Sequence, residues 1–179
     1  MDEIAHGLIE RHDIGLPLDE TARVEATRQG HQPMNEAPFR AAELFGIWRL
    51  VSLDAIRPNG EAATGWLGAD PAGLLAYDGS GYMSVQIMSG PRERAPQDRE
   101  TPVSRAGYYA YFGAFEIDEK ARTIVHHVQG SLWANEVGVS YTQDFAVSGD
   151  QLLLLTAAHR VDGEERRNRI VWQRAVKGM

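Results

Sequence analysis

The stretch TIVHHVQGSL, Thr123 to Leu132, decides how this chain is read, because its residues alternate along the backbone in a pattern of two. Successive side chains of a strand point to opposite faces. Ile124, His126, Val128 and Leu132 therefore share one face, and Thr123, Val125, His127, Gln129 and Ser131 share the other. The first set is the more apolar and is expected to face a core. The histidine doublet splits accordingly, with His126 inward and His127 on the outer surface.

Working outward from this run, seven more β-type stretches occupy 46–56, 73–78, 81–88, 107–117, 137–147, 151–161 and 166–176, which with 122–132 makes eight. The separators carry turn chemistry: Asp78-Gly79-Ser80-Gly81, Asp118-Glu119-Lys120, Asn135-Glu136, Ser148-Gly149-Asp150 and Asp162-Gly163. Short connections pair neighbours in order, so the expected fold is all-β, an eight-stranded antiparallel up-and-down barrel wide enough for one small ligand. Two connections are long, 57–72 and 89–106. The second holds SGPRERAPQDRETP, whose three prolines and six charges exclude a strand and predict a flap at a barrel mouth.

Residues 1–38 differ in character. Ile4, Leu8 and Ile9 have helical spacing, Asp19 is placed to cap a second helix through DETARVEATRQ, and GHQPMNEAP reads as a linker. The division expected is a helical arm and linker over 1–38 and a barrel domain over 39–179. A homodimer formed through the arm is a further expectation.

The chain has 179 residues and a formal net charge of −7, with no basic stripe, which argues against nucleic acid as a partner. It has no cysteine, so thiol nucleophiles, disulfides and thiolate metal sites are excluded, and a cytoplasmic location is the natural reading. The acidic start MDEIAHGLIERHDIG lacks the basic and apolar regions of a signal peptide, and no window has transmembrane length, so no membrane partner is expected.

Several blocks carry a family resemblance. LFGIWRLVS (Leu44 to Ser52) contains Gly46-x-Trp48, the final run ends IVWQR with Arg174, and between them stand GLLAYDGSGYMSV, YYAYFGAFEID and TIVHHVQGSLWAN. Together they resemble the intracellular lipocalin-like domain family of the lipocalin/calycin superfamily, over about residues 44 to 174. The resemblance implies that Trp48 plugs the closed end of the barrel and that Arg174 packs across it as a cation-π contact, with Gly46 structural beside them. The phase agrees, since Arg174 alternates in register with Ile170 and Trp172.

Alternation assigns the remaining faces. Met83, Val85 and Ile87 point inward from 81–88. Val137, Val139, Tyr141, Gln143, Phe145 and Val147 point inward from 137–147. In 107–117 either Tyr109, Tyr111 and Phe115 or Tyr108, Phe112 and Glu116 face in, and the first set is preferred because it leaves the Glu116 carboxylate in water. Tyr109, Tyr111, Gln143, Met83, Val85, Phe115, Ile124, Val128, Trp133 and Trp172 are thus the candidate ligand-lining residues. Such a wall suits a small, largely apolar molecule with one or two oxygens. It does not suit a nucleotide or sugar phosphate, because no glycine-rich phosphate loop is present.

His126 and Tyr141 are the candidate catalytic residues. An imidazole in an apolar barrel is suited to acid–base work, and the more ordinary alternative is a neutral core histidine hydrogen-bonded to Tyr141, Gln143 or a carbonyl. Tyr141 and Gln143 together form a candidate donor pair for a carbonyl or enolate oxygen. No metal is expected, since His126 and His127 diverge and His6, His12 and His31 lie in the arm. No cofactor is expected, and no G-x-S-x-G elbow is present. Two functions follow: a cofactor-independent cyclase or isomerase of a natural-product type metabolite, favoured because a covered barrel excludes water, or a carrier for a hydrophobic small molecule.

Overall fold

The computed structural model of the chain describes residues 39–90, 107–161 and 163–175. The helical arm and linker expected over 1–38, most of the 89–106 flap and the last residues lie outside them. Ten strands are present: β1 (Gly46–Ile56), β2 (Ala62–Thr64), β3 (Ala72–Tyr77), β4 (Tyr82–Met88), β5 (Tyr108–Asp118), β6 (Thr123–Ser131), β7 (Ser140–Ser148), β8 (Gln151–Thr156), β9 (His159–Val161) and β10 (Glu164–Arg174).

Eight of them close into an antiparallel barrel in the order β1-β3-β4-β5-β6-β7-β8-β10, with β10 returning to pair with β1. The short β2 and β9 extend β1 and β10 at one end. Sequence reading had placed 151–161 in one strand. The chain instead breaks at 157–158, so β8 stays in the barrel and β9 folds back on the start of β10.

Two bulges shape the wall. In β1 the register shifts between Leu50 and Ser52, leaving Val51 exposed while Trp48, Leu53 and Ala55 remain inside. In the β5–β6 pair, Phe112 faces Gly130 and Gly113 faces Val128, so Gln129 is the extra residue. A bulge adds one residue to a strand of period two and therefore exchanges its faces. Beyond Gln129 it is Ser131, opposite the inward Tyr111, that turns to the inner side. The expected inward position of Leu132 is corrected by this shift.

The 137–147 run is corrected as well. Its first residues are not regular strand: Ala134–Glu136 form a 3-10 turn, Val137 is exposed, Gly138 and Val139 bond Val128 of β6, and β7 starts only at Ser140. Inward alternation holds from there, with Gln143 and Phe145 buried and Tyr141 and Val147 half-buried. In β5 the preferred set is inside, with Tyr109, Tyr111 and Phe115 buried while Phe112 and Glu116 are exposed.

One end of the barrel is sealed. Trp48 is fully buried and its indole N–H donates to Leu44 O at 2.8 Å. Arg174 lies over the Trp48 ring at 4.1 Å and donates to Phe45 O and Glu43 O, which ties the last strand to the segment before the first. Gly46 is required here, since its φ of +129° is open to glycine and a Cβ would stand 3.2 Å from Arg174 Nη1. Phe39 stacks near Phe145 beneath the Arg122 guanidinium and completes the plug. The connections 57–71, 89–107, 132–139 and 157–163 all leave from the opposite end, which is the mouth.

Candidate functional site

The polar interior lies on the β5–β6–β7 wall. His126, fully buried at the middle of β6, is opposite Phe115 on β5 and Tyr141 on β7. Tyr111 lies 2.8 Å from its Nδ1, Tyr77 from the far wall lies 2.8 Å from its Nε2, and the Gln143 amide nitrogen is 3.3 Å from Nδ1. The Tyr111 hydroxyl donates to the single Nδ1 lone pair, with the Gln143 amide beside both groups, which places the ring proton on Nε2 and makes the Tyr77 oxygen its acceptor. Burial drives the imidazole pKa down to about 3, with the neighbouring His127 adding to the shift. The ring is therefore neutral and held at both nitrogens.

Burial, assisted by Tyr111, raises the Tyr77 hydroxyl pKa well above its ordinary value. Burial and then the proximity of Tyr141 do the same for Tyr111. Both phenols stay protonated across the physiological range.

Nearer the mouth a second group gathers around Glu136. This carboxylate, in the turn between β6 and β7, has no exposed surface. Its Oε2 accepts the Tyr109 hydroxyl at 2.9 Å and the Ser131 hydroxyl at 2.6 Å. The Ser131 contact exists because the bulge turned that residue inward. The Tyr141 hydroxyl is pushed up in pKa first by burial and then by the negative charge of Glu136. Rings connect the two groups: Tyr109 to Tyr111 at 5.4 Å, Tyr111 to Tyr141 at 6.0 Å and Tyr111 to His126 at 5.8 Å.

Four inward polar atoms have no protein partner: Glu136 Oε1, Tyr141 OH, Gln143 Oε1 and Trp172 Nε1. Buried polar groups are nearly always satisfied, so such a row marks where a solvent molecule or ligand belongs. Around them stand apolar side chains, among them Met83, Val85, Ile124 and Val128, all buried. Trp133 is half-buried against this core at the turn, and Trp66 meets Tyr109 edge-on. A separate groove of about 370 Å³, lined by Ala146, Leu153 and Val171 among others, lies on β7, β8 and β10.

His127, as expected, points out, with Nδ1 2.9 Å from the Ser140 hydroxyl and Nε2 3.4 Å from Glu116. Tyr77, Glu136 and Ser131 were not singled out in the sequence. Adjacent leucines in GLLAY left the phase of Tyr77 open, Glu136 sat in a turn where carboxylates are normally solvated, and Ser131 followed a bulge.

A closed eight-stranded barrel, plugged by a tryptophan beneath an arginine and lined by apolar side chains, defines the lipocalin-like class. The family model of the lipocalin-like domain matches residues 45–175, and the chain belongs to that family. No curated protein matches the sequence. Barrels of this class suggest binding of a small hydrophobic ligand. Among the described residues no helix is long and apolar enough to cross a membrane.

Proposed function

We propose that the chain takes a small, largely apolar metabolite into the barrel through the mouth and converts it by a cofactor-independent cyclisation or isomerisation. The observation that carries this reading is the set of buried, unpartnered polar atoms in a core that is apolar outside the His126 and Glu136 clusters. Tyr141 is the group suited to activating the substrate. Its hydroxyl lies beside Glu136 and Tyr109 without a well-formed hydrogen bond to either, and its raised pKa keeps the proton on it for donation to a carbonyl or developing enolate oxygen. His126 acts behind it: with both nitrogens occupied by Tyr77, Tyr111 and Gln143, it orients that wall and does not meet the substrate. Holding a flexible chain in a reactive conformer supplies the remaining acceleration.

The same saturated histidine favours a second reading, a carrier. A ring that titrates near pH 3 offers no proton at neutrality, and a carrier needs none. One experiment tests both. The purified protein is incubated with a small-molecule extract of cells lacking its gene, and mass spectrometry follows compounds retained by it and compounds converted at unchanged mass, as cyclisation and isomerisation require. Conversion lost in Tyr141→Phe with retention intact is the expected result. Retention without conversion by the wild type establishes the carrier, and neither retention nor conversion overturns both.

A further inference from the structure

We propose that the Glu136 cluster is a head-group subsite that selects ligands presenting a hydrogen-bond donor, such as a hydroxyl, and rejects carboxylates. The inference rests on the reading that the barrel binds an apolar molecule, and it adds which chemical class of molecule fits.

Glu136 is 0 % exposed and Gln143 is 5 % exposed, and each has one buried oxygen without a hydrogen-bond partner. A carboxylate oxygen and an amide carbonyl oxygen only accept hydrogen bonds. Glu136 has the donors it needs on one side, since the Tyr109 and Ser131 hydroxyls both bond Oε2 and hold the carboxylate in a fixed orientation. Its other oxygen, Oε1, has no well-formed hydrogen bond, and the carboxylate lies beside the Tyr141 hydroxyl. The negative charge is felt by Tyr109 and Tyr141, whose pKa values it helps to raise, so the charge lies beside the place a ligand oxygen would take. Tyr141, between Glu136 and Gln143 on the inner side, has a hydroxyl able to donate or accept.

A ligand end meeting these groups supplies a donor to Glu136 Oε1 or, deeper in, to Gln143 Oε1. A hydroxyl has one proton for one of these oxygens and can take the Tyr141 proton on its own oxygen. A ketone satisfies Tyr141 alone and leaves the buried carboxylate unpaired. A carboxylate adds repulsion between like charges in a site of low dielectric. A donor to a charged acceptor is among the stronger hydrogen bonds, and about one order of magnitude in affinity is the expected discrimination.

The test compares three probes of one chain length, decanol, the corresponding methyl ketone and decanoate, by displacement of an apolar fluorescent dye and by calorimetry at neutral pH. Wild type is expected to bind decanol about tenfold more tightly than the ketone, with decanoate weakest. Glu136→Gln keeps the shape and an acceptor for Tyr109 but replaces the free acceptor with an N–H. It is expected to bring the ketone within about threefold of decanol while its thermal melt shows a folded barrel. If Glu136→Gln fails to fold, Tyr141→Phe serves in its place: the donor preference persists, because Glu136 still requires a donor. Equal binding of decanol and ketone by wild type, or preference for decanoate, overturns the subsite and leaves barrel binding standing. Uptake of none of the three overturns the binding reading and the subsite with it.

Discussion

His126 shows how an environment settles a role that residue type leaves open. Its burial lowers its proton affinity, so the folded state binds a proton less readily than the unfolded chain, whose histidine titrates near pH 6.5. Stability attributable to this group is complete above that value and is lost as the pH falls from about 6.5 towards about 3, because the unfolded state then takes up the proton. Denaturant unfolding from pH 4 to 8 is expected to show the wild type losing about 1.4 kcal/mol per pH unit relative to His126→Gln across that window, and no relative slope above pH 7. The two ring nitrogens also differ. Nε2 has Tyr77 as its partner, whereas Nδ1 has both Tyr111 and Gln143. Tyr77→Phe should therefore cost about 1–3 kcal/mol, the penalty of an orphaned buried donor, and Tyr111→Phe measurably less. Equal losses in chemical denaturation would contradict the assigned tautomer. That His126 faces inward was legible from alternation in TIVHHVQG. That two tyrosines hold it was not, because Tyr77 is 49 residues away in the chain.

The β5–β6 bulge governs the site at the scale of elements. Gly113 lies where the register shifts, and a Cβ there would overlap the His127 carbonyl oxygen, with the Gln129 nitrogen at 2.9 Å. Gly113→Ala forces the two backbones apart at the pair that also carries His126. A loss of about 3 kcal/mol or more is expected, read as a lowered denaturation midpoint, since no flexible side chain is present to yield. The bulge also decides that Ser131 reaches Glu136, so relaxing it should weaken binding of the hydroxyl probe together with stability. Strand positions were largely legible in the sequence, because period-two patterning is local. The bulge was not, since it depends on how two strands twist past each other, and its effect reverses every side chain beyond it. Nor was the turn at 137–138 legible, where the sequence pattern reads as strand.

At the scale of the molecule, the sealed end and the open mouth divide the labour. Arg174 joins the last strand to the first by its stack on Trp48 and its bonds to Phe45 O and Glu43 O. Arg174→Ala should destabilise the barrel by about 2 kcal/mol, while Arg174→Lys keeps the charge but lacks the planar fork and recovers only part of it. Both variants should keep the discrimination between head groups, because the contacts of Arg174 are all at the opposite end from Glu136. A ligand that binds the folded barrel alone should raise its stability by about 2.7 kcal/mol at a hundredfold excess over its dissociation constant, which a thermal shift with decanol would reveal. The amino-acid sequence by itself determined the all-β class, the number of barrel strands and the inward face of β4 and most of β6, and it gave a preference between the two faces of β5. These follow from local alternation and turn chemistry, whereas the plug of Gly46, Trp48 and Arg174 was what the family resemblance implied. Only the tertiary structure decided that Tyr77 and Tyr111 clamp His126, that Ser131 turns inward, and that Glu136 is buried with an oxygen to spare. Each of those depends on barrel closure, which brings distant strands together and withdraws from water groups that, residue by residue, look ready for solvent.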